Sequence, residues 1–464
     1  MLTNESLETV QFQARSLANN SLPLANSDFV LNSAAVAGLL GGEDATSTVA
    51  LTQIYDKRRW LGWYNSPGSY VMGKHFRRLA RSAKVDVVFD SDSDATAASG
   101  SEMVHIDPSV LFTHEGWSGG PAFQGIYSGT SIQTTGPLAS WLRKKAAKVD
   151  CEKIEGRKTQ PVNVTVAVLE QVESLRQQMT FHHRSPTLAF VPILASLVTC
   201  SACGWYHQWY AFSMILVGIL SRGFACLFIG SGNLVFDHPK PADGSPPGDG
   251  VLGSDQDLVL LKGTEYVVNA VTRGKFCFRF RSKYTCRMVE GCSILLVVQA
   301  IAQLIFIPQG KLFGQLMFVL SLAISWAYNL WLSSRDKGEV KEGIFKQVLG
   351  EPSLTKFVFP NRVSAVVFLL LVSNKPEAPG NPRKLKKIMD IFLPSDSEVW
   401  GIWKETITEQ LKNGHALQFS DPHWNRKELT VEDDRKLLKT LFGDAKDSMK
   451  AYTIFTTNKA GMVA

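Results

Sequence analysis

Between Pro186 and Ser334 lie four apolar runs, each with the length needed to cross a lipid bilayer. The first, PTLAFVPILASLVTCSACGW (186–205), and the second, WYAFSMILVGILSRGFACLFIG (209–230), share a single formal charge, Arg222. The third, GCSILLVVQAIAQLIFIPQG (291–310), and the fourth, KLFGQLMFVLSLAISWAYNLWLSS (311–334), carry only Lys311, at the turn that joins them. A helix rises about 1.5 Å per residue and the hydrocarbon core is about 30 Å thick, so about 20 apolar residues span it. A helix buried in a water-soluble core would be shorter and would keep one full polar stripe. The connections 206–208 and 308–311 are short enough to force antiparallel neighbours. The expected fold class is therefore membrane α-helical: two antiparallel transmembrane hairpins, four helices in all, with mixed α/β and helical modules in the cytosol.

Orientation follows from the basic residues. Lys311 is alone at the hairpin tips, whereas Lys275, Arg279, Arg281, Lys283 and Arg287 precede the third run and Arg335, Lys337 and Lys341 follow the fourth. The positive-inside rule puts both termini and the connection between the hairpins in the cytosol. Trp205, Tyr206, Trp209 and Tyr210 at one tip, and Trp326, Tyr328 and Trp331 near the fourth run's end, suit the headgroup layers. The first residues lack the basic and apolar regions of a signal peptide, so the first hydrophobic run is expected to act as the internal signal.

The expected organisation is an N-terminal cytosolic region (1–160), a juxtamembrane helix (161–185), hairpin one (186–232), a cytosolic insert (233–290), hairpin two (291–334) and a C-terminal helical region (335–464). Residues 1–50 show no sustained period and read as loose loops with at most short helices. The net charge of +7 is concentrated in patches, of which 55–84 is the strongest. There Lys74, Arg77, Arg78, Arg81 and Lys84 surround a helical stripe of Phe76, Leu79 and Ala83, with Trp60, Trp63 and Tyr64 nearby. A solvated face, anionic lipid headgroups and nucleic acid all compete for such a surface, nucleic acid being the least favoured; the adjoining hydrophobic runs make lipid the functional candidate. In 165–179, Val168 or Leu169, Val172, Leu175 and Met179 have helical spacing. In 257–281 a strand, a helix capped by Thr264 and an alternating strand are expected, forming a compact module. The run 363–372 is too short to span and reads as a core or interfacial helix. Ser395 with Glu398 reads as a capping box.

Catalytic and metal patterns are incomplete. GWSGGP looks like the nucleophile loop of trypsin-like proteases with Ser118 in the nucleophile's place, and His75, His105 and Asp107 exist. However, Trp117 replaces the usual acid and the upstream chain is too short for two β-barrels. Cys200-Ser-Ala-Cys203 lacks the thioredoxin-like context of a redox pair, and His182-His183 lacks a third ligand. The proline- and aspartate-rich stretch 236–257 lacks EF-hand spacing. No cofactor, no metal and no enzymatic activity are therefore expected.

The stretches DLVLLKGTEYVVNAVTRGKF (257–276), AYNLWLSSRDK, RVSAVVFLLLV and FLPSDSEVWGIWKE (392–404) resemble multi-pass membrane proteins found in many copies in mushroom-forming (basidiomycete) fungi. The resemblance covers about two thirds of the chain. It implies architecture and origin; no activity is assigned to that family, so it implies no site residue.

Two functional expectations follow. The first is a membrane-anchored interaction protein whose four helices hold cytosolic modules at an anionic membrane face. The second is a transporter or channel component, which would need a homo-oligomer because four helices enclose only a narrow path. It would use Arg222 with Gln299 and Gln303, since a charge inside a bilayer is costly by about 3 kcal/mol or more. With no Asp or Glu in any run, Arg222 is expected to find Gln299, Gln303 or carbonyls freed by a helix break at 221–223.

Overall fold

The computed structural model describes residues 24, 31, 40–51, 58–81, 84–86, 103–106, 120–169, 188–253, 256–280, 283–374, 382–413, 417–426, 429 and 431–463. Its helices are α1 (Gly42–Leu51), α2 (Ser69–Arg81), α3 (Pro137–Ala147), α4 (Phe190–Trp205), α5 (Trp209–Ile229), α6 (Glu265–Arg273), α7 (Lys283–Phe306), α8 (Leu312–Leu349), α9 (Arg362–Ser373), α10 (Pro382–Phe392), α11 (Glu398–Asn413), α12 (Asp421–Trp424) and α13 (Glu432–Val463). Its strands are β1 (Lys84–Asp86), β2 (Met103–Ile106), β3 (Phe123–Gly125), β4 (Ser131–Ile132), β5 (Cys151–Lys153), β6 (Val162–Val168), β7 (Asn233–Asp237), β8 (Gly250–Gly253), β9 (Asp257–Lys262), β10 (Lys275–Phe280) and β11 (Ser353–Phe359).

These elements form two compact units, each built from three separate stretches of chain: Met1–Glu115, Arg176–Phe236 and Phe276–Ile344 in one, Gly116–Leu175, Asp237–Lys275 and Phe345–Ala464 in the other. The sequence segments expected to act as independent modules are thus interleaved. The insert 233–290 is no module of its own. Its strands β7 and β10 join a four-stranded sheet in the order β1-β2-β10-β7, while β8 and β9 enter a seven-stranded sheet in the order β4-β3-β8-β9-β6-β11-β5.

In the first unit, three stretches are long and apolar enough to cross a membrane: Trp209–Ile229, Arg287–Gln309 and Leu312–Ser334. The helix of the first run, α4, has 16 residues and is shorter than the run of 20 that suggested it. The helix of the fourth, α8, continues to Leu349 over 38 residues. Outward-facing positions on these helices are apolar, among them Leu194, Val198, Leu216, Leu220, Ile294, Val298, Ile301, Ile305, Leu320 and Leu330. Buried positions are often polar: Ser196, Thr199, Ser221, Arg222, Ser293, Gln299, Gln303, Ser321, Ser325, Asn329 and Ser333. Such an inversion of the water-soluble pattern fits helices solvated by hydrocarbon, where polar groups turn inward to find partners. Near the N-terminus, residues 42–51 form α1, one of the short helices that the sequence left room for.

The second unit centres on β6, β9 and β11. Strands β6 and β9 pair in parallel, and β11 runs antiparallel to β6 in the register Phe357↔Val164. The juxtamembrane helix expected at 161–185 is corrected over Val162–Val168, which is strand β6. Valine and threonine at 162, 164, 165, 166 and 168 carry branched Cβ atoms that fit a pleated surface, and this outweighs the helical spacing read from Val168 onward. The remainder of that segment, with His182 and His183, lies outside the described residues. The C-terminal region is likewise mixed rather than helical, because β11 supplies a central strand.

Helix α9 explains the short apolar run near residue 363. Every residue from Val363 to Ser373 is buried, with Phe368 against Phe357, Phe359 and Phe455. Sheet and α13 cover it, so it is a core helix. Its start is fixed by polar groups: Asn361 caps it by accepting the Ser364 amide (2.8 Å) and donates to Asp444 (3.0 Å), which also takes Arg157 Nη2 at 2.6 Å. Thr264 occupies the cap position of α6 without a side-chain bond, and α11 opens at Glu398, so Ser397 rather than Ser395 precedes it.

Candidate functional site

Polar residues inside the first unit's bundle are regularly spaced. On α8, Ser321, Ser325, Asn329 and Ser333 recur every fourth residue on one buried face, a ladder about 18 Å long at 1.5 Å per residue. The ladder is met by the N-terminal segment from α1 to α2. Asn65 Nδ2 donates to Ser321 Oγ at 3.1 Å, and the Asn65 amide donates to Ser196 of α4 at 3.0 Å. Tyr64 Oη donates to Asn329 Oδ1 at 2.7 Å, and Asn329 Nδ2 donates to Ser66 Oγ at 3.1 Å. Ser333 Oγ donates to Asp44 Oδ1 at 2.8 Å. Three of the four rungs therefore grip the segment.

Non-helical backbone is tolerated among apolar helices only when protein covers it. Here Gly62 and the residues from Tyr64 to Ser69 are buried, and Trp63 is half-buried. Close approach is made possible on α5, where a Cβ at Gly218 would stand 2.1 Å from Asn65 Oδ1 and 3.3 Å from Gln299 Nε2. Only a residue without a side chain fits there. Helix α2 then leaves along α7, Ser293 Oγ donating to the Gly73 carbonyl at 2.8 Å. The segment thus bridges the third and fourth hydrophobic helices.

Arg222 sits at the centre of this seam and is only 2% exposed. Its Nη2 donates to Tyr64 Oη (2.5 Å), Asn329 Oδ1 (3.0 Å) and Thr48 Oγ1 (3.4 Å). Its Nη1 donates to Ser66 Oγ (2.8 Å) and meets Met72 Sδ (3.7 Å). The guanidinium carbon also lies 4.3 Å from the Tyr64 ring centroid, a cation–π distance. Burial raises the Tyr64 hydroxyl above its ordinary value, against the opposite pull of Arg222, so the phenol is a neutral partner. Among the described residues no carboxylate lies within 4.0 Å of the guanidinium.

Two sequence expectations about Arg222 are corrected. Helix α5 is continuous through Ser221, Arg222 and Gly223, so no break frees carbonyls for it. Its partners are Tyr64, Ser66, Thr48 and Asn329 rather than Gln299 or Gln303. Both glutamines are buried, but Gln299 Oε1 and both amide atoms of Gln303 have no partner. Asn65 Oδ1 and Ser325 Oγ share that condition. The physical reason is positional: Gln299 Nε2 stands level with Gly218, one turn of α5 nearer the hairpin tip than Arg222, and Gln303 is a further turn along α7.

Lys74, Arg77, Arg78 and Arg81 are exposed on α2, while Met72, Phe76 and Leu79 are buried. Lys84 is not on that helix but in β1, paired with His105, and its side chain lies outside the described residues. Ser118, Trp117 and Asp107 of the protease-like pattern also lie outside them. Cys200 and Cys203 are buried free thiols on α4, as packing residues would be. No group of His, Cys, Asp or Glu able to hold a metal occurs among the described residues.

Sequence reading missed the N-terminal segment as a part of the bundle. Two signals were available: the four-residue polar repeat on the fourth run, and the absence of any charge from Trp60 to Gly73, inside an otherwise basic patch. Comparison with protein-family models, curated proteins and solved structures finds no match.

Proposed function

We propose that the chain is an integral membrane protein of four spans in two hairpins, with both termini cytosolic, and that its bundle anchors the mixed α/β unit as an interaction module at an anionic membrane face. One observation carries this reading: the guanidinium of Arg222 is taken up by the chain's own hydroxyls and amides, so the main intrahelical charge is spent on holding the N-terminal segment. Helix α4 counts as the fourth span because its outward residues, Leu194, Leu197 and Val198 among them, are apolar and exposed. The turn at 188–189 lengthens it to about 27 Å, enough for a slightly thinned bilayer. The basic residues of α2 support contact with headgroups. Gly73 lies beside Ser293, and β1 joins through β2 to β10, so α2 heads toward the Arg287 end of the third span. The proposal includes no catalytic role and no cofactor.

The test uses the full chain in nanodiscs of phosphatidylcholine with and without phosphatidylserine. Phosphatidylserine is expected to raise the unfolding temperature, and the triple change Arg77→Ala, Arg78→Ala and Arg81→Ala is expected to remove most of that rise. Each basic residue near such a surface contributes about 1 kcal/mol, and the effect should fade with salt because the Debye length is about 8 Å at physiological strength. Equal stability in both lipids would defeat the anchoring proposal. A cysteine at Gln309 should in addition label from the face opposite the termini.

A second reading, an oligomeric transporter component, is favoured by the partnerless atoms of Gln299, Gln303, Asn65 and Ser325. Solute flux in proteoliposomes that Gln303→Leu abolishes without unfolding the protein would establish it over the first.

A further inference from the structure

The second unit has a hollow of its own. One wall is a face of α13, where Thr440, Gly443, Asp444 and Asp447 follow helical spacing, and Arg157, from the loop between β5 and β6, stands opposite. The hollow measures about 490 Å³, within the range of small-molecule sites.

Arg157 is held from behind. Its carbonyl accepts from Asn361 Nδ2 at 3.1 Å, and the same amide donates to Asp444 Oδ1 at 3.0 Å. Arg157 Nε and Nη2 donate to the two carboxylate oxygens of Asp444 at 3.3 and 2.6 Å. The Asp444 side chain is 2% exposed and that of Arg157 46%, so a buried carboxylate grips one edge of a guanidinium whose remainder faces out. Nη1 has no partner among the described residues. A planar fork fixed on one edge and open on the other is suited to an oxyanion, because its donors are already oriented before the ligand arrives.

Two lysines of α13 line the same hollow. Lys450 lies 3.0 Å from Asp447, whereas Lys446 is exposed and in no ion pair with a described residue. Asp444 and Asp447 offset two of the three cations, which leaves one positive charge. Gly443 is the other unusual feature of this wall. Glycine is the least favourable helix residue after proline, yet a Cβ at Gly443 would meet nothing within 4 Å, so packing does not call for it. Its lack of a side chain leaves the helix backbone open to a close approach from the hollow.

We propose that this hollow binds a single phosphate group carried by a small molecule or a lipid headgroup, with Arg157 Nη1, Lys446 Nζ and Lys450 Nζ as donors and the organic part over Gly443. Three cationic side chains on two sides suit the several oxygens of a phosphate better than the two of a carboxylate. Asp447, in the same wall, would repel the added charge of a polyphosphate. The proposal rests on the second unit alone and does not require the anchoring role of the bundle, so the two can fail separately.

Titration calorimetry on the purified full chain in detergent, at one ionic strength, tests it with glycerol 3-phosphate, dihexanoyl phosphatidic acid and sodium acetate. Saturable binding of at least one of the two phosphates is expected, and none of acetate. Similar Kd values for the two phosphates would assign the site to a soluble phosphate, and binding of the lipid alone to a headgroup; either supports the proposal. Lys446→Gln removes an exposed charge and should raise the Kd by about tenfold, the usual effect of losing one hydrogen bond to a charged group. Gly443→Leu should raise the unfolding temperature of the unliganded chain, since leucine is the better helix former, and should weaken phosphate binding by filling the hollow. Absence of binding by both phosphates would overturn the proposal, as would an unchanged Kd in either variant.

Discussion

Asn329→Leu is expected to destabilise the protein by about 3–5 kcal/mol, more than Arg222→Met, although the second change removes the charge itself. Asn329 Oδ1 accepts from Arg222, Tyr64 and Thr48, and its Nδ2 donates to Ser66. Without it, a buried cation loses an acceptor and the neutral groups around it lose their common partner. With Arg222→Met the cation disappears, and the Tyr64–Asn329 and Asn329–Ser66 bonds can persist. Neutral hydrogen bonds inside a helical membrane bundle contribute only about 0.6 kcal/mol on average, so the loss should stay near about 1–2 kcal/mol. Denaturation of the purified chain in mixed micelles gives both values. The double change should cost less than the sum of the two, because it removes the stranded charge that makes Asn329→Leu severe. A larger loss for Arg222→Met would mean that the guanidinium contributes far more than the neutral groups that receive it.

Gly223→Leu is expected to expel the segment without touching a polar group. A Cβ at Gly223 would stand 2.2 Å from Trp63 Cε3, in the flat part of the indole, so any side chain must move that ring. Glycine inside a helix is less favourable than alanine by about 1 kcal/mol, so by propensity alone Gly223→Ala should stabilise α5. We expect the reverse: a loss of about 1–3 kcal/mol for alanine by overpacking, and a greater loss for leucine, with faster proteolysis between residues 44 and 76. Stabilisation by alanine with unchanged proteolysis would show that Trp63 does not pack against α5.

Hydropathy made the helices of the hydrophobic runs legible, since chain length and apolar composition act locally. The strand–helix–strand of 257–280 was readable for the same reason, as was the fact that α9 is too short to span, though its length left core and interfacial positions both open. The sheets were not, because their pairings are long-range: β9 lies nearly 100 residues from β6, and β11 nearly 200. Alternation can suggest a strand but does not name its neighbour. That is why segments read as separate modules turn out to be interleaved, and why Val162–Val168 was mistaken for the start of a helix. Arg222 was legible as an unusual residue, but its partners were not. Three of them, Thr48, Tyr64 and Ser66, are uncharged residues on either side of the charged run 56–59, and their role depends on reaching the ladder of Ser321, Asn329 and Ser333. Docking of this kind leaves little periodic trace in the docked strand of chain, because loop backbone can present its side chains at any spacing.

The central claim is that the N-terminal segment is seated in the bundle, and a cross-link between Asp44 and Ser333 tests it most directly. The two side chains are hydrogen-bonded at 2.8 Å. In a full chain with its native cysteines replaced, Asp44→Cys and Ser333→Cys would be introduced together with a protease site between residues 87 and 102, and native membranes would be oxidised and then cleaved. The account predicts that the two fragments stay joined until a reductant is added, and that the pair resists water-soluble maleimide. Fragments that separate without reductant, with both cysteines freely labelled by maleimide, would contradict it.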